Sequence, residues 1–181
     1  MQKPQSTSNS LTDNPVSQGA AIELIVNDDA WPSVIDDFAF AIDAAELTLA
    51  TYGKVPANAR VSLAVMFSTD AHIAELNNTY RGVSKPTNVL SFPAGPTLIE
   101  ETGNEPKHIG DIILARETVM REAQLENKSL KDHITHLVIH GVLHLLGYDH
   151  ENESDAGEME RCETELMINL GLTDPYAVPF N

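Results

Sequence analysis

The chain has 181 residues, 27 acidic against 11 basic side chains, a formal net charge of −16 and 42% hydrophobic residues. A chain of that length and apolar content buries roughly 70% of its unfolded surface, which excludes wholesale disorder and a disulfide-stapled miniprotein; the lone Cys162 has no internal partner. No apolar run approaches the ~18 residues of a spanning helix, and the leading segment has neither a hydrophobic core nor an Arg-rich amphipathic pattern, so no membrane partner and a cytoplasmic location are expected. Residues 1–20 are mostly Ser, Thr, Asn, Gln and Pro with almost no apolar content, too polar to offset the entropy of ordering, and read as a disordered tail ahead of one domain over 21–181. Within that domain AIELIV, residues 21–26, is a β-prone run. Pro32 and Ser33 open an Ala-rich helix to about Tyr52, closed by Gly53. Arg60–Ser68 alternates as a strand. Ser68, Thr69 and Asp70 offer capping oxygens to a second helix through AHIAELNNTY.

Asn88–Phe92 reads as a third strand stopped by Pro93, and the Gly- and Pro-rich stretch 93–108 as a mobile loop. Ile109–Ala115 is a fourth strand. Helices follow over Arg116–Asn127, over Ser129–Tyr148 with a Ser129 and Asp132 capping pattern, and over Asp155–Leu170 to a stop at Gly171. The order β-α-β-α-β-β-α-α-α implies an α+β domain, a small mixed sheet of about four strands packed with about five helices.

Charge is unevenly spread. Nine of the eleven basic residues lie between Lys54 and Lys131, where nine acidic residues balance them, while the flanking segments carry −7 and −9. Net acidity opposes loose binding to a polyanion, so any such ligand is expected at the middle segment. Lys85 and Lys107 lie there and read as solvated lysines. Asp111, after Gly110 in the fourth strand, reads as part of a buried network or as a support behind a ligand, with no catalytic role.

Five of the seven histidines fall between 133 and 150, in HITHLVIHGVLHLLGYDH. His140 and His144 are four apart, so on a helix their Cβ atoms stand ~5–6 Å apart and both imidazoles can reach one Zn2+ at ~2.0–2.1 Å. Gly147 can end that helix in the left-handed conformation and turn the chain so that His150 returns as a third ligand. Three protein ligands leave a tetrahedral ion one open position. The metal site thus sits on a central helix and the turn after it. The alternative is polar residues on a helix whose other face, Ile139, Val142, Leu143, Leu145 and Leu146, forms core. The spacing is that of HExxHxxGxxH metalloproteases, except that Gly141 replaces the glutamate base, which costs peptide hydrolysis ~10²- to 10⁴-fold. His133 and His136 fall on the same helical face. For His136 and Asp149 a role in orienting a ligand or touching substrate stands beside a packing or turn role.

HGVLHLLGYDH at 140–150, ELNNTYRGVSKPTNVLSFP at 75–93 and GDIILA at 110–115 together resemble the YbeY family of bacterial endoribonucleases and rRNA maturation factors, in that family's order. The resemblance implies a zincin-like α+β domain, zinc held by His140, His144 and His150, and a catalytic arginine of the YR dipeptide, Arg81, near the metal. It further implies single-strand-specific RNA cleavage, maturation of the 3′ end of 16S rRNA, ribosome quality control, and two protein partners, a small-subunit ribosomal protein and the GTPase Era. A phosphodiester reaction tolerates Gly141, and a guanidinium matches a phosphoryl group bidentately; without the resemblance, Arg81 reads as a surface ion pair with Glu75. Two further functions remain open on the residues alone: a metal-dependent hydrolase of peptides or small molecules, and a non-catalytic ribosome-assembly factor with structural zinc.

Overall fold

A computed structural model describes residues 20–56, 59–95 and 105–177. The proposed tail and most of the proposed loop at 93–108 lie outside them. Four strands, β1 (Ala20–Val26), β2 (Val61–Ser68), β3 (Val89–Pro93) and β4 (Lys107–Ala115), form one sheet in the order β1-β2-β4-β3. β1 and β4 both pair parallel to β2, and β3 runs antiparallel to β4 along the edge. Five helices join them: α1 (Ala39–Tyr52), α2 (Asp70–Arg81), α3 (Arg116–Leu125), α4 (Leu130–Leu145) and α5 (Glu153–Asn169). The expected α+β order and element count therefore stand.

Period-two alternation splits the sheet between two layers. Val61, Leu63, Val65 and Phe67 of β2 and Ile112 and Leu114 of β4 face the main core with α1, α4 and α5. Leu90, Ile113 and Ala115 meet Ile73 of α2 on the other face. Both faces being covered, β2 is buried along nearly its whole length.

α4 is the central helix, with ten of its 16 residues buried. A Cβ on Gly141 would stand 2.9 Å from the side chain of Ile112, so the glycine lets the helix press directly on β4. The physical reason for Gly141 is therefore packing, and a glutamate at this position has no room. Gly110 serves the same closeness two residues earlier in β4. With φ +146, its missing Cβ would fall 2.4 Å from Phe92 O and 2.7 Å from Leu145 Cδ2, so β3 and the end of α4 can both approach it.

The boundaries differ from expectation in instructive places. Pro32 and Ser33 belong to a single 3₁₀ turn, Trp31–Ser33, and α1 begins only at Ala39, whose N–H donates to Asp37 Oδ1 at 2.9 Å. Trp31 holds the turn apart from the helix: its ring is fully buried edge-on to Phe67 at 5.2 Å, and its Nε1 donates to Ser68 O at 2.9 Å. Asp111 is exposed, contrary to the buried position expected: its side chain lies on the face opposite Ile112, and a bulge between His108 and Gly110 brings His108 to that same face, 3.0 Å from it. Cys162 is fully buried in the core, as expected.

Gly141→Ala is expected to destabilise the fold by about 1–3 kcal/mol through overpacking against the stiff, β-branched Ile112. Gly157→Ala, in α5 with nothing within 4 Å of the new Cβ, is expected to raise stability by roughly 0.5–1 kcal/mol. Urea unfolding of both variants beside the wild type measures the two signs.

Candidate metal centre

The site is built by the end of α4. The Gly147 N–H donates to His144 O and the Tyr148 N–H to Leu143 O, both at 3.0 Å, with Gly147 at φ +89. This is a Schellman cap, and it reverses the chain at the glycine the sequence singled out. The reversal carries His150 back over the helix. The imidazole centroids of His140, His144 and His150 are 4.6, 5.0 and 5.5 Å apart, and one ring nitrogen of each lies within 4.8 Å of the others.

Hydrogen bonds from the far side of two rings fix which nitrogen faces inward. His144 Nδ1 lies 3.0 Å from Tyr148 O, a pure acceptor, so it carries the proton and leaves Nε2 free. His140 Nδ1 lies 2.7 Å from Glu163 Oε1 and is fixed in the same tautomer. The two free Nε2 atoms stand 3.0 Å apart, close to the roughly 3.3 Å edge of a tetrahedron with zinc-to-nitrogen bonds of ~2.0–2.1 Å. Burial lowers the pKa of His144, and the charges of His140 and His150 lower it further, so its neutral, metal-binding form is favoured. The donor set, three imidazoles with ring nitrogens within 4.8 Å of one another, fits a divalent ion of the zinc type.

Glu163 is the residue that sequence reasoning missed. It is fully buried in α5, with Oε1 on His140 and Oε2 on His136 Nε2 at 2.9 Å, and the hydroxyl of Tyr176 also donates to Oε2. Burial alone would raise its pKa, but the hydrogen bonds from His136 and His140 outweigh that and hold it down to about 2. The signal was present: Met159, Cys162, Leu166 and Met167 form the apolar stripe of α5, and Glu163 stands within it. A carboxylate at a core position needs buried donors.

A cavity of about 750 Å³ opens over the triad, lined on the other side by Arg81, Asn88 and residues 89, 91 and 93 of β3. Arg81 is the last residue of α2 and not in the loop beyond it; Gly82, left-handed at φ +68, ends the helix there. Its guanidinium is exposed and has no ion pair with Glu75 or any other described residue. Asp149 lines the same cavity, and its Oδ1 accepts the His150 N–H at 2.7 Å, which is turn chemistry. His136 turns away from the triad's cavity to Glu163 and Tyr176, and His133 bonds Glu122 at 3.0 Å.

An α+β domain with three imidazoles converging beneath an open cavity is the donor arrangement of a three-histidine metal centre. The family profile described as Endoribonuclease YbeY matches residues 26–171. Similar proteins of that name include one from Azorhizobium caulinodans, 45% identical over 159 residues, 87% of this chain and 97% of its own. Another, from Bradyrhizobium diazoefficiens, is 46% identical over 156 residues, 86% of this chain and 84% of its own. The chain belongs to the YbeY family. A solution structure of a Thermotoga maritima protein, 23% identical, overlaps 87% of this chain and 100% of that one at a TM-score of 0.48.

Side-chain ¹⁵N spectra of the metal-free protein above pH 8 are expected to show His140 and His144 as Nδ1–H tautomers. In Glu163→Ala, His144 is expected to keep that tautomer while His140 becomes a mixture; an unchanged His140 would mean that the carboxylate does not set it.

Proposed function

We propose that the protein is a zinc-dependent, single-strand-selective endoribonuclease acting in 3′-end maturation of 16S rRNA and in ribosome quality control, in the cytoplasm. The observation that carries this reading is a single cavity holding both the histidine triad and an unpaired guanidinium. Membership of a family whose members are named endoribonucleases supports RNA as the substrate. His140, His144 and His150 hold the zinc, which when bound supplies Lewis acidity and an acidified water.

The chain's own residues do the rest. Glu163 keeps the Nδ1 proton on His140 so that Nε2 faces the ion, and the Tyr148 carbonyl does the same for His144. His136 acts through Glu163 and does not touch substrate. Arg81 binds the scissile phosphate by a bidentate fork and neutralises charge developing on the phosphoryl oxygens. Asp149 shapes the turn that presents His150.

Gly141 argues against the peptidase alternative, because its missing side chain points at Ile112 and away from any water over the triad. The assembly-factor alternative keeps the fold and the zinc but gives Arg81 nothing to do. A net charge of −16 favours recruitment to the ribosome through protein, the small-subunit ribosomal protein and the Era-type GTPase, over free RNA binding.

Cleavage of a defined single-stranded RNA, with a chelator control and a 2′-deoxy substitution at the cut, tests the reading. Activity is expected to vanish on chelation and return with zinc; His150→Ala is expected to lower zinc content sharply, as a two-ligand site is incomplete. Arg81→Lys is expected to lose on the order of 10²- to 10³-fold in turnover, with zinc content and melting temperature unchanged, since a point charge cannot reproduce the fork. Wild-type turnover in that variant would remove Arg81 from the chemistry.

A further inference from the structure

The open edge of β3 forms one wall of the cavity, and its hydrogen-bonding groups are unevenly used. In the register of β3 on β4, Ala115 N donates to Asn88 O at 2.9 Å and Ala94 N donates to Ile109 O at 3.0 Å. Even-numbered residues therefore bond to β4, and residues 89, 91 and 93 direct their backbone groups away from it. Among the described residues no strand lies on that side. These three residues are also the ones that line the cavity with the triad and Arg81.

Two of the three outward positions have lost their donor. The Val89 N–H is taken by Asn88 Oδ1 at 2.7 Å, and Pro93 has none. Ser91 alone presents both an N–H and a C=O, and neither is engaged by any described residue. An added peptide strand draws its affinity from a repeating ladder of donors and acceptors, which this edge interrupts on both sides of Ser91. A ligand needing one donor beside one acceptor fits it better. The Watson–Crick edge of every nucleobase has that form: adenine pairs an amino group with N1, cytosine an amino group with N3, uracil N3–H with a carbonyl, and guanine N1–H with O6.

We propose that Ser91 is a nucleobase subsite, whose main-chain N–H and C=O bind the Watson–Crick edge of an unpaired nucleotide lying in the cavity. The proposal rests on the endoribonuclease reading and gives it a source of strand selectivity. A base already paired in a duplex has that edge occupied, so the subsite admits single strands, and it accepts any base because all four offer the pair. The serine side chain is not required. Gly110 contributes by letting β3 and the end of α4 close on each other, which sets this edge and the triad on one cavity.

The test pairs a backbone deletion with a base whose edge is blocked. Ser91→Pro removes the N–H at a position that donates nothing to β4, where an edge strand tolerates proline. On short single-stranded RNAs carrying N1-methyladenosine at successive positions, the wild-type holoenzyme is expected to lose about 5- to 20-fold in kcat/KM at one position near the cut. Ser91→Ala is expected to keep that penalty and Ser91→Pro to lose it. Equal penalties in wild type and Ser91→Pro, or no sensitive position at all, would overturn the subsite while leaving the nuclease intact. Amide spectra of the wild-type holoprotein decide independently of turnover and of the fold of the proline variant. Unmodified RNA is expected to shift the Ser91 amide and RNA methylated at the sensitive base to leave it in place. No shift with RNA, or a shift only with an extended peptide, overturns the proposal. A wild type that binds RNA at Ser91 but never cuts it would refute the nuclease reading and support the subsite.

Discussion

The contact on which the site depends is the one between α4 and the sheet, made where Gly141 meets Ile112 with no side chain between them. Because the helix lies so close, its half-buried flank at His140 and His144 comes level with β3 and the end of α2, and a histidine triad, an arginine and a strand edge share one cavity. The same closeness explains the chemistry that is missing. In a helix built for peptide hydrolysis the residue after the first histidine projects a carboxylate toward the ion; here that direction is filled by the sheet. The glycine is thus both the structural requirement for the cavity and the reason a protease base has no place in it.

A second constraint is the buried carboxylate of Glu163. An isolated ionised carboxylate in a core is prohibitively costly. Three donors from His136, His140 and Tyr176 supply the compensation and hold it ionised. Its cost and its use are linked, since the imidazole that stabilises the charge is the one whose tautomer must be fixed. α5 is thereby tied to α4 at the site itself, and the segment after α5 is tied to both through Tyr176.

Elements with strong local signals were legible in the sequence. The alternation of β2, the Ser129 cap of α4 and the left-handed Gly147 each follow from chemistry within a few residues, and the structure has them in place. What was not legible depends on partners distant in sequence. The break before α1 is imposed by Trp31 docking on Phe67 and Ser68, more than thirty residues on. Asp111 was misplaced because a short strand between two apolar neighbours looks buried whichever face its polar residue takes. Glu163 went unread because a glutamate in a helix is ordinarily solvated, and only its register within an apolar stripe marked it. Arg81 shows the reverse: its solvent-facing position at the end of α2 is what local sequence implies, but its nearness to the triad comes from the sheet order, which no local pattern encodes.

The acidity of the chain acquires a physical sense once the cations are placed. Several basic residues of the middle segment are spent on carboxylates, Arg116 on Asp28, Arg121 on Asp70 and Lys128 on Glu126, so the segment's formal neutrality overstates the positive field it projects. Arg81 has no such partner among the described residues and lines one cavity with the triad, Asp149 and Glu151. A polyanion approaching from solution meets net repulsion at long range, while Arg81 offers it a cation at the cavity itself. Such a surface is poor at gathering RNA by counterion release. On the function proposed above, a substrate delivered by a larger assembly would be held by contacts to a base and to a single phosphate, and not by the summed charge of a groove.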